Sequence, residues 1–450
     1  SKASPSFDVV VVGGGHAGIE AALVCARLGL RTALATFDKD KIGEMSCNPA
    51  IGGLGKGQLV KEVDALSGEM GLAIDQTGIQ FRTLNASRGP AVRSSRAQAD
   101  RAAYCWRMVK TLCSTPNLTV IETEVLAIET AGRRVAGVRI RGDIVVSAQA
   151  VVITTGTFLC GLMHTGEKQI SGGRMGEQAS VRLSESLRHL GLSVGRLKTG
   201  TPARLYAPSI DTTKLTEQPG DVPVRPFSLR TDCSRMRQLE REQVSCWITS
   251  TNAQTHEIIA ANVKRSPLFN GQIKGTGPRY CPSIEDKVFR FPERSSHHIF
   301  LEPEGRDSDV VYPNGISTSL PADVQEEFIR SICGLEKVKI LRHGYAVEYD
   351  FVDPRELDAA LKVKKLEGLY LAGQINGTSG YEEAAAQGIL AGINAAHYVL
   401  NREPLIIRRD QGYLGVMVDD LINTGVLEPY RMFTSRAEYR LHLREDNADA

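Results

Sequence analysis

Two cysteines stand among residue types that can make a thiol reactive. Cys281 lies between Arg279 and Lys287, and Cys47 lies in a glycine-dense loop in which Lys56 is the nearby cation. A thiol close to cationic groups has a lowered pKa and a larger thiolate fraction, which suits a nucleophile. The alternative is that both thiols are small buried apolar groups, as most cysteines outside disulfides are.

A glycine pattern near the start of the chain predicts a dinucleotide site. Gly13, Gly15 and Gly18 have the spacing G-x-G-x-x-G, between the β-branched run Val9 to Val12 and a helical run from Ile19 to Leu28. In this strand–turn–helix order the first glycine allows the tight turn, the second a pyrophosphate approach and the third close helix–strand packing. The free N–H groups of the helix N-terminus would face the phosphates.

Two positions depart from the usual flavin and nucleotide patterns. The second strand, predicted over Arg31 to Thr36, ends without the acid that would hold a ribose hydroxyl, and Asp38 follows slightly later. Either Asp38, or Thr36 with the backbone, would serve. Further on, Gln374 stands where many flavoproteins have an aspartate for the ribityl chain. His16 lies inside the phosphate turn, where a flavin contact and an exposed turn histidine are both open interpretations.

Composition excludes several classes of protein. The chain has 450 residues, 42% apolar content and a net charge of +2, so it can bury a large core and overall charge indicates no polyanionic partner. Its nine cysteines form no C-x-x-C pair, which argues against a disulfide framework, a structural zinc site and a disulfide reductase. No apolar run approaches membrane-spanning length, and Ser1 to Ser6 is too short for a signal peptide.

Neither a triphosphate site nor a metal site is supported by the motifs. The loop Ala50 to Gly57 resembles a P-loop, but Ala50 replaces the first glycine and Gly57 replaces the Ser/Thr. His297 and His298 are adjacent in a predicted strand and would point to opposite faces. We therefore expect no metal ligands.

The order of predicted elements gives the fold class. Strands at Leu118 to Glu122 and Val135 to Ile140, a meander to Ser147, and a buried strand from Ala150 are typical of a flavin domain interrupted by a small sheet. The prediction is an α/β fold: a doubly wound, Rossmann-like FAD domain of the glutathione reductase type, with an inserted α+β domain and the start of a helical C-terminal domain. The predicted boundaries are 1–200 with 345–402 for the FAD-binding domain, 201–344 for the insertion and 403–450 for the C-terminal segment.

Arginines concentrate in two predicted helical stretches. One runs from Ala97 to Leu112, and the other from Tyr413 to Ala450, which has the character of an incomplete domain. The arginines of these regions are Arg82, Arg88, Arg93, Arg96, Arg101 and Arg107, and then Arg431, Arg436, Arg440 and Arg444. Such runs are most often solvated faces, but they also suit phosphate contacts whose affinity falls with salt.

Long motifs along the whole chain resemble the GidA/MnmG family. They are Gly13 to Gly18, Ser46 to Gly53, Arg96 to Arg101, Arg196 to Pro202, Gly277 to Val288, Tyr312 to Ser317, Ala372 to Gly377 and Glu428 to Tyr439. The resemblance implies an FAD-dependent enzyme that adds a carboxymethylaminomethyl or aminomethyl group to the wobble uridine of tRNA. It also implies that the family continues beyond residue 450 into a helical domain, so that this chain is C-terminally truncated.

The resemblance implies partners and cofactors as well. These are tRNA, a GTPase of the MnmE type in a heterotetramer of two dimers, a homodimer of the chain itself and no membrane. The cofactors are FAD and NADH, with methylenetetrahydrofolate as one-carbon source and glycine or ammonium as amine. The compartment would be the bacterial cytoplasm, or a mitochondrion or plastid in a eukaryote.

Site residues carry over from the family by position. The flavin site maps onto Gly13, Gly14, Gly15, His16, Ala17, Gly18, Val125, Ser180 and Gln374. The nicotinamide-associated stretch, in the inserted domain, runs from Gly277 to Phe291 and includes Gly277, Arg279, Tyr280, Glu285 and Lys287. The two functional cysteines map onto Cys47 and Cys281, with Cys281 as the better candidate for the nucleophile.

The chemistry of uracil agrees with a thiol nucleophile. A thiolate that adds to the ring carbon β to the carbonyl makes the adjacent carbon nucleophilic, and later elimination restores the ring. Two alternatives remain open at this point. One is a folate- and FAD-dependent tRNA uridine methyltransferase, which uses related thiol chemistry, and the other is an RNA-binding flavoprotein without catalysis.

Overall fold

The computed structural model describes residues 5–279 and 282–449. Tyr280 and Cys281, two of the predicted site residues, therefore lie outside the described residues. The strands are β1 (Ser6–Val12), β2 (Thr32–Thr36), β3 (Ala50–Gly52), β4 (Gly78–Leu84), β5 (Ser94–Ala99), β6 (Leu118–Glu122), β7 (Val125–Ala131), β8 (Arg134–Ile140), β9 (Ile144–Ile153), β10 (Leu162–Thr165), β11 (Lys168–Ser171), β12 (Val194–Thr201), β13 (Arg204–Tyr206), β14 (Thr216–Gln218), β15 (Cys246–Ser250), β16 (His298–Pro303), β17 (Val310–Asn314), β18 (Ile340–Arg342), β19 (Tyr345–Val352) and β20 (Leu369–Leu371).

The α-helices alternate with these strands in the first part of the chain and near its end. They are α1 (His16–Arg27), α2 (Lys56–Ala65), α3 (Met70–Thr77), α4 (Arg101–Ser114), α5 (Val181–His189), α6 (Cys233–Glu242), α7 (Ala253–Ala261), α8 (Ile284–Arg290), α9 (Ala322–Arg330), α10 (Tyr381–Val399) and α11 (Tyr413–Asp419).

The central sheet confirms the predicted doubly wound architecture. Its order is β6-β2-β1-β9-β8-β7, and β20 also pairs with β9. The pairs β1–β2, β1–β9, β2–β6 and β9–β20 are parallel, whereas β7, β8 and β9 form an antiparallel meander. Parallel strands covered on both faces carry apolar runs, which is why Val9 to Val12 are buried. The carboxyl ends of β1, β2, β9 and β20 thus share one edge, where such folds bind ligands.

Helix α10 packs directly on α1, and small residues make the approach close. A Cβ at Gly388 would overlap the backbone of Ala17, and one at Gly392 would lie 2.7 Å from the Cα of Ala21. The small residues of α10 therefore serve helix–helix packing behind the glycine turn, which fixes the N-terminus of α1 relative to that of α10.

Three further sheets surround the central one. A six-stranded sheet, β14-β15-β16-β17-β13-β18, has its own core of residues between Ala203 and Val338. A four-stranded sheet, β11-β10-β19-β12, joins strands from before and after that segment. A small sheet, β3-β5-β4, carries the loop that follows Cys47. The domain boundaries stay a prediction.

Three local expectations were wrong. Ala97 to Ala99 belong to strand β5, because Asp100 caps the helix that starts at Arg101 by accepting from the Ala103 N–H. Ile144 to Ile153 form one strand instead of a meander segment and a separate strand, and β9 bridges both halves of the sheet.

The third correction concerns the C-terminal segment, where the α-helix is much shorter than predicted. It ends at Asp419, and a π-turn continues to Thr424 before Gly425 takes a φ of 72°. Among the described residues after Gly425 no α-helix follows. Tyr430, Met432 and Ala437 instead pack into the main core from an irregular chain, so their burial does not need a helical period.

Candidate active site

The glycine turn has the tight packing that its spacing predicts. Gly13 has a φ of 108°, a left-handed conformation that favours glycine, and a Cβ there would overlap the carbonyl of Thr154. A Cβ at Gly18 would overlap the carbonyl of Gly13. Strand β1 and helix α1 can therefore approach this closely only with glycine at both positions.

Gly15 differs from its neighbours because no atoms lie close to the position that a side chain would occupy. A Cβ at Gly15 would meet nothing within 4 Å, whereas one at Gly14 would lie 2.9 Å from Ile42 and Thr36. Gly15 is the N-cap of α1 and its backbone is extended, with φ −77°. Its open side faces the end of a helix whose first N–H groups favour anions, so this is where a pyrophosphate fits.

A cleft opens at this turn. Val125, the first residue of β7, and Ser180, the N-cap of α5, both line it together with Gly13, Gly14 and Gly15. These residues are far apart in sequence and meet at the carboxyl edge of the central sheet. The lining of the cleft, with the glycine turn at one side, fits the adenosine and pyrophosphate part of FAD.

Which residue would bind the ribose hydroxyls of the cofactor stays open between Thr36 and Asp38. Thr36 and Asp38 both line the cleft. The Asp38 carboxylate already accepts from the Asp40 N–H at 2.8 Å and so caps its own turn. Phe37, between them, faces Phe158 across the cleft at a ring distance of 5.7 Å, which forms an apolar wall suited to an adenine.

Gln374 lies at the far end of the same edge. It belongs to a 3₁₀ turn that directly follows β20, and its Oε1 lies 3.6 Å from the position of a Cβ built on Gly156, a residue that lines the cleft. The side chain is half-buried. Its amide keeps hydrogen-bonding capacity where an aspartate is usual, so a role toward the ribityl chain stays a prediction.

His16 is not the exposed turn residue that the sequence left open. It is 6% exposed in the first turn of α1, and neither ring nitrogen has a hydrogen-bond partner among the described residues. Burial lowers the pKa of His16 to about 4, with Glu382 opposing and Arg174 reinforcing the shift. Its ring lies 4.5 Å from the ring of Tyr381. A neutral imidazole thus sits between the glycine turn and the start of α10.

Tyr381 connects the glycine turn to the Cys47 loop. The Cys47 N–H donates to the Tyr381 hydroxyl at 2.8 Å. The half-buried Cys47 Sγ lies 3.3 Å from the Tyr312 hydroxyl and 3.9 Å from the carbonyl of Gly200. Cys47 is therefore held among polar groups at the junction of three sheets, which differs from the apolar burial of Cys25.

A network of buried ion pairs contacts the backbone of the Cys47 loop through Arg204. Arg204 is 2% exposed; its guanidinium donates to the carbonyl of Ser46 at 3.2 Å and pairs with Glu304 at 2.5 Å. Glu304 also binds Arg101, which pairs with Glu44 of the cleft lining. Burial raises the Glu44 pKa, but Arg101 and Arg174 outweigh it and hold that pKa below its ordinary value. The ion pairs thus connect both parts of the site.

The predicted cation beside Cys47 is engaged elsewhere. Lys56 is buried, and its Nζ lies 2.9 Å from Glu382 and 3.1 Å from Glu383 at the start of α10. These carboxylates raise the pKa of Lys56 against the effect of burial. Lys56 therefore fixes α2 to α10, and its effect on the Cys47 thiol stays a prediction.

The segment from Gly277 to Phe291 approaches the same junction. A Cβ at Gly277 would lie 3.0 Å from the side chain of Lys198. Arg279 is exposed, and the Lys287 ammonium donates to the carbonyl of Gly315 at 2.7 Å. Lys287 thus holds α8 to the loop after β17, so its effect on the thiol of Cys281 stays a prediction.

Glu285 is an anchor within the inserted segment. It is 1% exposed, and its Oε1 accepts from the Ser319 N–H at 3.1 Å and from the hydroxyl of Ser266 at 3.3 Å. These contacts fix the start of α8 against two loops. Its predicted role toward NADH is not visible in this arrangement and stays a prediction.

Half of the first arginine group forms ion pairs inside the fold. Arg96 pairs with Glu302 at 2.7 Å, Arg107 pairs with Glu69 at 2.5 Å, and Arg101 belongs to the network above. Because their charges are neutralised and partly buried, these three are not available to phosphates as the sequence suggested. Arg88, in the loop after β4, is exposed.

Sequence reasoning missed Arg204, Glu304 and Tyr381. Arg204 lies two residues after the motif that ends at Pro202, and Tyr381 begins the small-residue helix α10, but no local pattern marks either as a neighbour of Cys47. Within residues 5–279 and 282–449, no cluster of three His, Cys, Asp or Glu side chains is placed to hold a metal ion. In the same part of the chain, no helix has both the length and the apolarity needed to cross a membrane.

Comparison with known proteins decides the family. Residues 8–403 match the family described as glucose inhibited division protein A. The chain belongs to this family. It is also 58% identical over 443 residues to a protein from Syntrophotalea carbinolica, which covers 98% of this chain and 71% of the relative, and 58% identical to one from Nitratiruptor sp. over 98% and 70%. Both relatives are named tRNA uridine 5-carboxymethylaminomethyl modification enzyme MnmG.

Solved structures of the family agree with this fold. Two crystal forms of Aquifex aeolicus GidA match with TM-scores of 0.92 and 0.94, at 52% and 54% identity. Each match covers 99% of this chain and 72% or 74% of the solved one. The fold that carries the glycine-turn cleft and the Cys47 junction is therefore the fold of these solved structures.

Proposed function

We propose that the chain is an FAD-dependent tRNA modification enzyme that adds a carboxymethylaminomethyl or aminomethyl group to C5 of the wobble uridine. The observation that carries this proposal is the link between the glycine-turn cleft and the Cys47 loop. Tyr381 contacts His16 with its ring and the Cys47 backbone with its hydroxyl. A flavin site and a thiol site joined in this way suit a reaction that needs redox chemistry next to a covalent ring activation.

The residues at the cleft would hold the cofactor in a defined way. Gly15 leaves room for the pyrophosphate, Val125 and Ser180 border the cleft, and Gln374 lies at the ribityl end. Bound there, FAD supplies two-electron redox chemistry. Neutral His16, with its low pKa, adds a polar group without charge beside the phosphates, since burial keeps it unprotonated at neutral pH.

The thiol junction would activate the pyrimidine. A thiolate of Cys281, or of Cys47 as the next candidate, adds to C6 of uracil, and C5 then attacks a one-carbon electrophile. Arg204 and Tyr381 hold the Cys47 backbone from two sides, so that thiol keeps its position when the substrate enters. Proximity of this kind contributes strongly to the rate, because a misplacement of about 1 Å costs roughly 100-fold.

The finer parts of the proposal rest on the family. NADH would reduce the flavin, methylenetetrahydrofolate would supply the carbon, and glycine or ammonium the amine. A homodimer would act with an MnmE-type GTPase in a heterotetramer, in the bacterial cytoplasm or in a eukaryotic organelle. The relatives named for this modification, at 58% identity, support tRNA as the substrate.

Mass spectrometry of wobble nucleosides from a strain that lacks the gene tests this proposal. We expect the carboxymethylaminomethyl and aminomethyl uridines to disappear and to return when the gene is restored. Loss of ribothymidine alone would identify a methyltransferase instead. An unchanged nucleoside profile would leave a binding protein without catalysis, and either result would overturn the proposal.

A further inference from the structure

Lys198 is a largely buried lysine that forms no ion pair with an acid of residues 5–279 or 282–449. It lies on β12, is 4% exposed, and its Nζ makes no hydrogen bond or ion pair with the part of the chain that the structure describes. Burying an ammonium group without a partner is costly, so such groups are normally paired or neutralised. The contacts of three nearby residues, Glu348, Gly277 and Gly200, indicate what the partner of the Lys198 ammonium is.

The carboxylate opposite Lys198 is fully engaged with other groups. Lys198 pairs with Glu348 in the register of β12 and β19, so both side chains emerge on one face of the sheet. Glu348 accepts from the Lys274 and Gly275 N–H groups at 2.7 and 2.6 Å, and its other oxygen lies 2.8 Å from His164. Arg196 approaches it as well, at 3.8 Å. The ion pairs of Glu348 among the described residues are therefore with His164 and Arg196 and not with Lys198.

The ammonium instead lies next to the segment that leads to Cys281. A Cβ on Gly277 would meet the Lys198 Nζ at 3.3 Å, and the Lys198 N–H donates to the Thr276 carbonyl at 3.0 Å. Gly200 lies two residues later on the same strand, and its carbonyl is 3.9 Å from the Cys47 Sγ. Lys198 thus lies between the segment that leads to Cys281 and Gly200, whose carbonyl contacts Cys47.

We propose that the Lys198 ammonium binds O4 of the target uracil and stabilises the enolate formed when a cysteine thiolate adds to C6. This inference rests on the proposed function. The thiolate pair forms the S–C6 bond, the C5=C6 pair moves to C4–C5, and the carbonyl pair moves onto O4, with no net oxidation. After C5 bonds to the one-carbon group, the C5 proton leaves to solvent, the S–C6 bond breaks and the double bond returns. Lys198 donates a hydrogen bond throughout and keeps its proton.

The test compares Lys198→Met with Lys168→Met in the full-length protein. Lys168 is an exposed lysine on β11 of the same sheet, so its substitution removes an equal charge outside the site. The probe is tRNA that carries 5-fluorouridine at the wobble position, with the co-substrates present, because fluorine at C5 traps the C6 thiol adduct. We measure the rate of adduct formation, tRNA affinity, flavin content and flavin reduction potential.

We expect Lys198→Met to slow adduct formation about 100-fold, as loss of one oxyanion donor does, with tRNA affinity, flavin content and flavin potential unchanged. Wild-type adduct rates in this variant would overturn the proposal. A fall in tRNA affinity instead would identify a phosphate contact, and a lowered flavin potential would identify a flavin contact; each also overturns it.

A second variant covers the case in which Lys198→Met loses flavin, and the wild-type protein separates failure of this inference from failure of the proposed function. If Lys198→Met loses flavin, Lys198→Gln replaces it: a hydrogen-bond donor remains without the charge, so we expect a smaller but measurable loss of adduct rate, and a wild-type rate there would also overturn the proposal. The proposed function fails separately, since wild-type protein would then form no adduct and no modified uridine.

Discussion

The glycine turn and the Cys47 junction differ in how far along the sequence the residues that determine them lie. At the turn, the close contact that the motif encodes is local, because a Cβ at Gly18 would overlap the carbonyl of Gly13; Gly13 itself packs against the more distant Thr154. At the junction, Cys47 is fixed by Gly200, Tyr312 and Tyr381. The turn can be read from a short motif, whereas the junction exists only after the whole chain has folded.

This difference decides how substitutions in the two regions behave. A change in the turn should remove the cofactor, and a change at the junction should stop the chemistry while the cofactor stays. The four predictions below follow that distinction, from the largest expected effect to the smallest.

Replacing the candidate nucleophile should have the largest effect. Cys281→Ser should keep the flavin and most tRNA affinity but lose wobble-uridine modification by several orders of magnitude, because a serine hydroxyl stays protonated without a strong base. The measurement is the modification rate of purified full-length protein with tRNA. Cys25→Ser is the control: its Sγ donates to the carbonyl of Gly392 inside the core, so it should cost little beyond packing. Near wild-type modification by Cys281→Ser would transfer the role to Cys47.

Gly15→Val should remove the cofactor. The extended backbone at Gly15 accepts a side chain without strain, so the protein should fold, but the new side chain fills the space of the pyrophosphate. We expect at least a tenfold loss of bound flavin, an order of magnitude set by displacing a phosphate from a helix terminus. Gly89→Val is matched, since its Cβ also meets open space but lies outside the cleft. Normal flavin absorbance in a folded Gly15→Val protein would contradict this placement.

Tyr381→Phe tests whether the glycine turn and the Cys47 junction can be altered independently, because Tyr381 contacts both. The ring that contacts His16 remains, so flavin content should be unchanged, but the Cys47 N–H loses its acceptor. We expect kcat to fall about tenfold, in line with the cost of one buried unsatisfied donor. Tyr398→Phe, on the same helix, removes a hydroxyl that accepts from the exposed Arg134 at the surface and should leave kcat unchanged. Loss of flavin in Tyr381→Phe would mean that the regions are not separable.

The smallest effect concerns stability and pH. Glu20 of α1 is 2% exposed and caps α3 by accepting from the Glu69 and Met70 N–H groups at 2.8 Å. Burial raises the pKa of Glu20 to about 7 from an ordinary 4.5, against the effect of the Glu69 and Met70 N–H groups. Between those values the folded state binds more protons than the unfolded state, so the contribution of Glu20 to stability falls as pH rises from 4.5 through 7.

Glu20→Gln should therefore weaken the dependence of the melting temperature on pH in that window. It should also cost about 1–3 kcal/mol, because an NH₂ group would face a backbone N–H. Thermal melts of the variant and the wild type between pH 5 and 8 measure both quantities. An unaltered pH slope in the variant would show that Glu20 does not titrate there.

The sequence predicted what depends on local sterics and missed what depends on distant partners. The β1–turn–α1 unit and β6 were placed correctly because β-branched runs and glycine spacing act locally. The C-terminal helix was overextended because burial of Tyr430 and Met432 in an irregular chain gives no period. Arg96, Arg101 and Arg107 looked like a solvated group, since their acids lie far along the chain.

The central claim is that a thiol at this junction attacks the pyrimidine, and peptide mapping of the trapped adduct tests it most directly. Full-length protein reacts with tRNA carrying 5-fluorouridine at the wobble position, and mass spectrometry identifies the peptide that bears the nucleotide. The account predicts attachment at Cys281, or at Cys47 as the next candidate. Attachment at any of the other cysteines, or no adduct while tRNA is bound and modified, would contradict it.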